Sequence, residues 1–113
     1  MIKIYHNPRC KKSCAGLAYL QEKTSNFTII KYMEKGITAD EIRDILYKSG
    51  KRPIDLVRTQ EELYKKELKN KNLSDEEWID ILSKNPRLLQ RPILVTEEKA
   101  IIGQPVTEID KIL

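Results

Sequence analysis

The first 32 residues are MIKIYHNPRCKKSCAGLAYLQEKTSNFTIIKY, and this stretch decides the fold. Residues 1–5 alternate as a strand does, with two isoleucines on one face. The composition of residues 11–23 favours a helix, and residues 27–32 are β-branched and aromatic, which favours a second strand. A strand, a helix and a strand within about thirty residues form a βαβ unit, in which the two strands are parallel.

Capping boxes mark the starts of three helices in the middle of the chain. Each box has a Thr or Ser followed three residues later by Glu, and the three caps are Thr38, Thr59 and Ser74. We expect the first of these helices to end at Gly50 and the third at Asn85-Pro86. Residues from about 37 to 90 are therefore predicted to form a helical insert.

The C-terminal part predicts a hairpin and a last helix. Two apolar runs, residues 93–95 and 100–102, are joined by a polar turn, which is typical of antiparallel strands. After Gly103-Gln104-Pro105, apolar side chains recur at helical spacing. The predicted order is β-α-β, a helical insert and β-β-α. This order is that of a thioredoxin-like fold, an α/β arrangement with a four-stranded mixed sheet, and we expect one such domain over residues 1–113.

The composition fits one globular domain. Of the 113 residues, 40% are hydrophobic and 34% are charged, which excludes an intrinsically disordered chain. The 21 Lys and Arg against 17 Asp and Glu leave a net charge of +4, which favours an anionic ligand or partner. The most densely charged stretch, residues 65–71, mixes both signs without an aromatic or arginine-rich pattern, so we expect no nucleic-acid partner.

The sequence also lacks the marks of export and of metal binding. No apolar run approaches the ~18 residues that a membrane span needs, and residues 1–5 lack the apolar segment of a signal peptide. Two cysteines are too few for a secreted disulfide scaffold. We therefore expect a cytoplasmic protein with no membrane partner. One His and two Cys fall short of a zinc-binding set, so no metal is predicted.

Cys10 is the candidate reactive residue. It is predicted to lie at the start of the first helix, beyond the carboxyl end of a strand, where ligands meet sheets of this kind. Free N–H groups and the helix dipole favour a thiolate there. Arg9, Lys11 and Lys12 add positive charge that also attracts an anionic substrate. His6 is a general base, a partner of the thiolate or a solvated loop residue.

Cys14 follows Cys10 by four residues, and two roles are open to it. A cysteine pair at this spacing inside a regular helix is held too far apart for a relaxed disulfide. A Cys10 in the preceding loop, however, is able to move over the first turn and meet Cys14. The alternative is that Cys14 packs beside Leu17 and Ala18 as a small hydrophobic side chain.

Four segments together resemble a known family. They are His6 to Ser13, Leu56 to Thr59, Arg91 to Val95, and Gly103 to Pro105. In this order and at this approximate spacing they are similar to the motifs of the glutaredoxin-linked arsenate reductases, whose relatives include the redox-sensing regulator Spx. Each motif is weak alone, but the ordered set covers essentially the whole chain.

The resemblance implies a set of catalytic roles and redox partners. Cys10 is then the nucleophile that attacks arsenate, and His6 and Ser13 support its thiolate. Glutathione is implied as a co-substrate, with no bound cofactor. Glutaredoxin or thioredoxin is implied as the partner that supplies electrons, and we expect a monomer.

The resemblance also implies how a small oxyanion is held. Arg58 and Arg91 match the oxyanion-binding arginines, and a guanidinium is well suited to bidentate binding of an oxyanion. The alternative for each is an ordinary surface arginine. Pro92 matches the family's cis-proline. Where the family has a third arginine this chain has Gln104, which donates a hydrogen bond without a charge and weakens the clamp for a trianion.

One further departure bears on the reaction. The family commonly has Arg where this chain has Cys14, which supplies a resolving thiol and a route to a Cys10–Cys14 disulfide. We therefore expect an arsenate reductase-like thiol oxidoreductase that uses glutathione and glutaredoxin or this internal disulfide. The alternatives are an Spx-like transcriptional regulator and a thiol oxidoreductase that acts on another anion or on a glutathione mixed disulfide.

Overall fold

A computed structural model describes all 113 residues, which form a mixed four-stranded sheet with helices on its faces. The strands are β1 (Ile2–Tyr5), β2 (Phe27–Ile30), β3 (Ile93–Val95) and β4 (Ala100–Ile102), in the spatial order β2-β1-β3-β4. β1 and β2 are parallel, whereas β3 is antiparallel to both β1 and β4. The predicted βαβ unit, hairpin and mixed sheet are confirmed.

The first helix, α1 (Lys11–Lys23), has the bounds that the sequence predicts. Its buried residues are Ser13, Gly16 and Leu20, which lie on one helical face. Leu20 packs in a cluster of five buried residues with Ile4 and Leu94 from the sheet. One face of α1 therefore covers the sheet and fixes the position of the loop that precedes the helix.

The chain between β2 and β3 forms three α-helices: α2 (Tyr32–Lys35), α3 (Ala39–Ser49) and α4 (Asp75–Lys84). Shorter turns separate them, namely 3₁₀ helices at Pro53–Leu56 and Pro86–Leu88 and a π-helix at Tyr64–Leu68. This part of the chain packs on the other face of the sheet, in a cluster of 16 buried residues. Alternate residues of one strand thus serve different cores, as the strand period of two requires.

Two of the three predicted capping boxes are present. The Thr38 hydroxyl oxygen accepts from the N–H of Glu41 at 3.1 Å, and Ser74 caps α4 in the same way. α3 ends at Gly50 in the left-handed conformation (φ 69°), where glycine has no steric penalty. The box predicted at Thr59 is wrong: this residue lies in a turn, and the following segment is the π-helix.

Two other element predictions need correction. The strand predicted over residues 27–32 ends at Ile30, because the N–H groups of Glu34 and Lys35 both donate to the carbonyl of Lys31 and turn the chain into α2. The terminal helix is a 3₁₀ helix over Val106–Ile112. No helix combines the length and apolarity needed to cross a membrane.

Candidate active site

Cys10 occupies the N-cap position of α1, as predicted. Its backbone is extended (φ −103°, ψ 122°), its N–H donates to the Asn7 carbonyl at 3.0 Å, and its own carbonyl accepts from the N–H of Cys14 at 2.9 Å. The loop therefore makes one tight turn and runs directly into the helix. The Cys10 side chain is half-buried, and both cysteines are free thiols.

Cys10 opens into a cleft of about 710 Å³ that carries a strong positive charge. Five of its ten lining residues are basic and one is acidic. The lining residues are Asn7, Pro8, Arg9, Cys10, Lys31, Met33, Glu34, Arg58, Arg87 and Arg91. A cleft of this charge concentrates small anions next to the sulfur.

The surroundings of Cys10 favour its thiolate form. Burial is the largest single influence and raises the pKa of the thiol, but it is outweighed by the backbone N–H of Ser13, the guanidinium of Arg91 and the backbone N–H of Lys12. The net effect lowers the pKa of Cys10 below its ordinary value. These amides are the free donors of the first turn, so the helix start stabilises the negative charge.

His6 is buried and does not line the Cys10 cleft. It is only 5% exposed, and its Nδ1 shares a hydrogen bond of 2.7 Å with Oγ of Ser13. Burial lowers the pKa of His6, and the charge of Lys31 lowers it further, against an opposing hydrogen bond to Ser13. The lowered pKa favours the neutral ring, and the burial shows that the alternative of a solvated loop residue is wrong.

Ser13 connects the start of α1 to the loop before it. Its side chain is fully buried, and its hydroxyl oxygen accepts from the N–H of Asn7 at 2.9 Å besides its contact with His6. The hydroxyl is thus used within the loop, whereas the backbone N–H of Ser13 faces the Cys10 sulfur. Ser13 and His6 hold the loop in the conformation that presents Cys10.

Arg91 is anchored at the edge of the cleft by the backbone. Its Nη1 donates to the carbonyls of Arg87 (3.0 Å) and Leu89 (3.3 Å), which are neutral acceptors. Its Nε is buried without a partner. Arg91 lies close enough to Cys10 to lower the pKa of the thiol, although no hydrogen bond of standard geometry joins the two side chains. Nη2 makes no hydrogen bond to the protein, and none of the partners of Arg91 is charged.

Arg58 lines the same cleft but already has an anionic partner. Its Nη1 lies 2.9 Å from Oε2 of Glu61, and both side chains are 17% exposed. Its backbone N–H donates to the Leu88 carbonyl at 2.6 Å, which ties this segment to the one that carries Arg87 and Arg91. The structure therefore brings Arg58, Arg91 and Cys10 together, with Arg58 held in an ion pair.

The loop that carries Arg91 packs against α1. A Cβ atom placed on Gly16 would lie 2.6 Å from Cγ of Pro92, so only glycine fits at this helix position. The Arg91–Pro92 bond is cis, as predicted for Pro92, and the Gln104–Pro105 bond is cis as well. Contact between Gly16 and Pro92 sets the distance between the helix that begins at Cys10 and the loop that holds Arg91.

Two predicted residues lie apart from these. Gln104 does not line the Cys10 cleft but a second one, which it shares with Lys12. Cys14 is exposed, and its thiol donates to the carbonyl of Pro8 at 3.3 Å. The alternative of Cys14 as a packed hydrophobic side chain is therefore wrong, since an exposed side chain buries little surface. Its role as a resolving thiol stays a prediction.

Sequence reasoning missed three residues of this site: Lys31, Tyr32 and Arg87. Tyr32 is 1% exposed, and its hydroxyl oxygen has no hydrogen-bond partner. Burial raises the pKa of Tyr32, while the charges of Arg91 and Arg58 lower it. Lys31 and Tyr32 directly follow β2, and the carboxyl ends of parallel strands meet at one edge of a sheet. The rule that located Cys10 after β1 was also the signal for these two residues.

No group of three or more His, Cys, Asp and Glu side chains is arranged to hold a metal ion. The functional groups at this edge of the sheet are instead one thiol, guanidinium and ammonium cations, and backbone N–H donors. Such a set is suited to bind an oxyanion beside a nucleophilic sulfur.

The mixed sheet, with α1 and its N-terminal cysteine following the first strand, defines a thioredoxin-like protein. The model of the ArsC family matches residues 5–112, and the chain belongs to this family. The arsenate reductase of Neisseria meningitidis serogroup A / serotype 4A is 36% identical over 114 residues, covering 99% of this chain and 97% of that protein.

Solved structures agree with this assignment. The arsenate reductase from Vibrio cholerae superposes with a TM-score of 0.92 at 33% identity, covering 99% of this chain and 97% of that one. A more distant relative, the global transcriptional regulator Spx 1 of Oceanobacillus iheyensis, is 28% identical over 119 residues, covering 100% of this chain and 87% of that protein. The resemblance predicted from the four sequence motifs is confirmed.

Proposed function

We propose that the protein is a thiol oxidoreductase that reduces arsenate to arsenite through Cys10. The observation that carries this proposal is the position of Cys10, with a lowered pKa, in a cleft where five of ten lining residues are basic. A thiolate is the nucleophilic form of cysteine, and the cations attract the oxyanion that it attacks. Membership of the ArsC family supports the same chemistry.

The first step forms a covalent adduct. The Cys10 thiolate attacks arsenic(V), an As–S bond forms, and one arsenate oxygen leaves as water after protonation. Arg91 is the arginine best placed to neutralise the oxyanion, since its own partners are uncharged carbonyls. The backbone N–H of Ser13 stabilises the thiolate, whereas the side chains of His6 and Ser13 hold the loop that presents the sulfur.

The second step transfers two electrons to arsenic. A second thiolate attacks the Cys10 sulfur, an S–S bond forms, and the electron pair of the As–S bond remains on arsenic, which leaves as arsenite. The second thiolate comes from glutathione or from Cys14, which is an exposed free thiol one helical turn from Cys10. Glutaredoxin or thioredoxin then reduces the resulting disulfide, and Cys10 returns to its thiolate form.

The proposed reaction has consequences for the location, the oligomeric state and the cofactor requirement of the protein. Glutathione, glutaredoxin and thioredoxin are reductants of the cytoplasm, so we place the protein there. The thiol, the arginines and the loop that positions them all come from one chain, so we propose that it acts as a monomer. No bound cofactor is required, because the electrons arrive through thiols.

The test is NADPH consumption with arsenate, measured with either of two electron supplies. One contains glutathione, glutathione reductase and glutaredoxin, and the other contains thioredoxin reductase and thioredoxin. We expect arsenate-dependent turnover with at least one supply, and loss of glutathione-free turnover in Cys14→Ser would assign the second thiol to Cys14. No turnover with either supply would refute the arsenate reductase function.

A second candidate function is an Spx-like redox-sensing regulator. The full-length match to Spx 1 favours it, as do two free thiols one helical turn apart. The spacing weighs against it, because Spx-type proteins resemble one another in a Cys-x-x-Cys motif, whereas Cys10 and Cys14 have three residues between them. Retention of RNA polymerase from a lysate by the oxidised but not the reduced protein would support regulation, and no retention in either state would exclude it.

A further inference from the structure

Glu61 places a carboxylate between two of the cations of the Cys10 cleft. Its Oε2 lies 2.9 Å from Nη1 of Arg58, and its Oε1 lies 3.7 Å from Nε of Arg87. The Glu61 and Arg58 side chains are each only 17% exposed, so water screens this ion pair less than a surface pair. Arg91, in contrast, has only carbonyl partners.

A carboxylate and a tetrahedral oxyanion compete for the guanidinium N–H donors of Arg58. Both bind a guanidinium through paired oxygen atoms, and both are negatively charged. An oxyanion that reaches Arg58 therefore has to displace the Glu61 carboxylate or bind beside it against its repulsion. Since Gln104 lies outside the cleft, Arg91 is the one matched arginine in the cleft that is not paired with a carboxylate.

We propose that Glu61 is a specificity-determining residue of this cleft, which competes with the oxyanion for Arg58. This inference rests on the proposed function, since it assigns that oxyanion to the Cys10 cleft. Glu61 then lowers the affinity for every tetrahedral oxyanion. It also selects against ligands of high negative charge, because repulsion by the carboxylate grows with the charge of the ligand.

The experiment measures binding of phosphate, a tetrahedral oxyanion that cannot be reduced by thiols. The affinity of the protein for phosphate is read from the phosphate concentration that slows the alkylation of Cys10. The alkylation is followed on the Cys10 peptide by mass spectrometry. We expect Glu61→Gln, which keeps the shape and removes the charge, to bind phosphate about fivefold more tightly than the wild type. Glu61→Asp keeps the charge but shortens the side chain, and we expect a gain of about twofold, which serves as a second variant for the same claim.

Glu34 supplies the matched control. It is the acidic residue that lines this cleft, whereas Glu61 reaches the cleft only through its ion pairs, and Glu34 makes no ion pair within 4 Å. Glu34→Gln removes the same charge from the cleft, and we expect it to change the phosphate affinity less than about twofold. An equal gain in Glu34→Gln and Glu61→Gln would overturn the proposal, because the effect would then come from the overall field.

A double-mutant cycle tests whether Glu61 acts through Arg58. In an Arg58→Gln background there is no guanidinium to compete for, so Glu61→Gln is expected to give no further gain. A gain of the same size in that background, or none in the folded Glu61→Gln protein, would refute the competition. Phosphate binding needs no electron transfer. A wild type without arsenate turnover would therefore refute the proposed function, whereas the phosphate measurements would still decide the role of Glu61.

Discussion

Nδ1 of His6 lies 2.7 Å from Oγ of Ser13, and this contact joins the end of the first strand to the first turn of α1 across the loop that carries Cys10. The same hydroxyl oxygen accepts from the N–H of Asn7. Both side chains are buried, so neither partner has water as a substitute. The loop is therefore held by buried hydrogen bonds, whereas Cys10 in the same loop faces the cleft.

Ser13→Ala is expected to destabilise the protein. The substitution leaves Nδ1 of His6 and the N–H of Asn7 without their shared partner, and an unsatisfied buried polar group costs about 1–3 kcal/mol. Urea denaturation measures the free energy of unfolding directly. Ala15→Gly, at an exposed position of the same helix, is the control for helix propensity, with an expected loss of about 1 kcal/mol or less. An unchanged free energy of unfolding in Ser13→Ala would contradict the bonding described for the loop.

The pH dependence of alkylation tests the thiolate at Cys10. Because the pKa of Cys10 is lowered, half-maximal alkylation by iodoacetamide is expected at a pH below that of an ordinary cysteine, about 8.5. Arg91→Gln removes a charge that favours the thiolate and is expected to move the midpoint upward. A midpoint at or above that of a free cysteine, or one that Arg91→Gln does not move, would show that the cleft does not stabilise the thiolate.

The same lowered pKa has a consequence for stability. The folded chain releases the Cys10 proton at a lower pH than the unfolded chain does, so stability rises with pH between the two pKa values. The contribution is complete above the unfolded pKa of about 8.5 and is lost as the pH falls through the folded pKa. Relative to Cys10→Ser, the wild type is therefore expected to gain stability from neutral pH to about pH 8.5. A constant difference over this range would contradict the expectation.

Gly16→Ala is expected to destabilise the protein and to displace the loop that carries Arg91. The added Cβ would lie 2.6 Å from Cγ of Pro92 and 3.3 Å from its Cδ, in a rigid ring. Overpacking of this kind costs about 1–3 kcal/mol, which exceeds the gain of up to about 1 kcal/mol in helix propensity. We expect a lower free energy of unfolding and an upward shift of the Cys10 alkylation midpoint, since Arg91 moves away with Pro92. A more stable Gly16→Ala protein would contradict this packing.

Tyr32→Phe is expected to leave the free energy of unfolding unchanged or to raise it by up to about 1 kcal/mol. The Tyr32 hydroxyl oxygen and Nε of Arg91 are the two buried side-chain polar atoms without a hydrogen-bond partner, and removal of an unsatisfied hydroxyl costs nothing in bonding. Tyr47→Phe, at a residue that is 88% exposed, is the control and is expected to have no effect. A loss of more than about 1 kcal/mol in Tyr32→Phe would mean that the hydroxyl has a stabilising partner in solution.

Local signals predicted much of the fold. The caps at Thr38 and Ser74 depend on residues three positions away, and both are present. The same pattern at Thr59 forms no box: Thr59 lies in a turn, and the neighbouring Glu61 pairs with Arg58 and with the more distant Arg87. A sequence match to a capping box is therefore not sufficient for the box to form.

The same distinction explains the site. Cys10 was predictable because strand order and helix start are local properties. Arg87 was not predictable, because its place at the cleft depends on a long-range contact. This contact is the β-bridge between Val57 and Leu89, which are 32 residues apart in the sequence. Gln104 could be matched to a family motif, but the motif does not specify that it lines a different cleft.

Arsenite formation by cysteine variants tests the central claim most directly. Arsenite is quantified over time with arsenate, glutathione and glutaredoxin for the wild type, Cys10→Ser and Cys14→Ser, with the folded state of each checked by thermal unfolding. We predict that Cys10→Ser lowers the rate to that of the protein-free control and that Cys14→Ser retains turnover, because glutathione supplies the second thiol. A Cys10→Ser protein with the wild-type rate would contradict the assignment of Cys10 as the nucleophile.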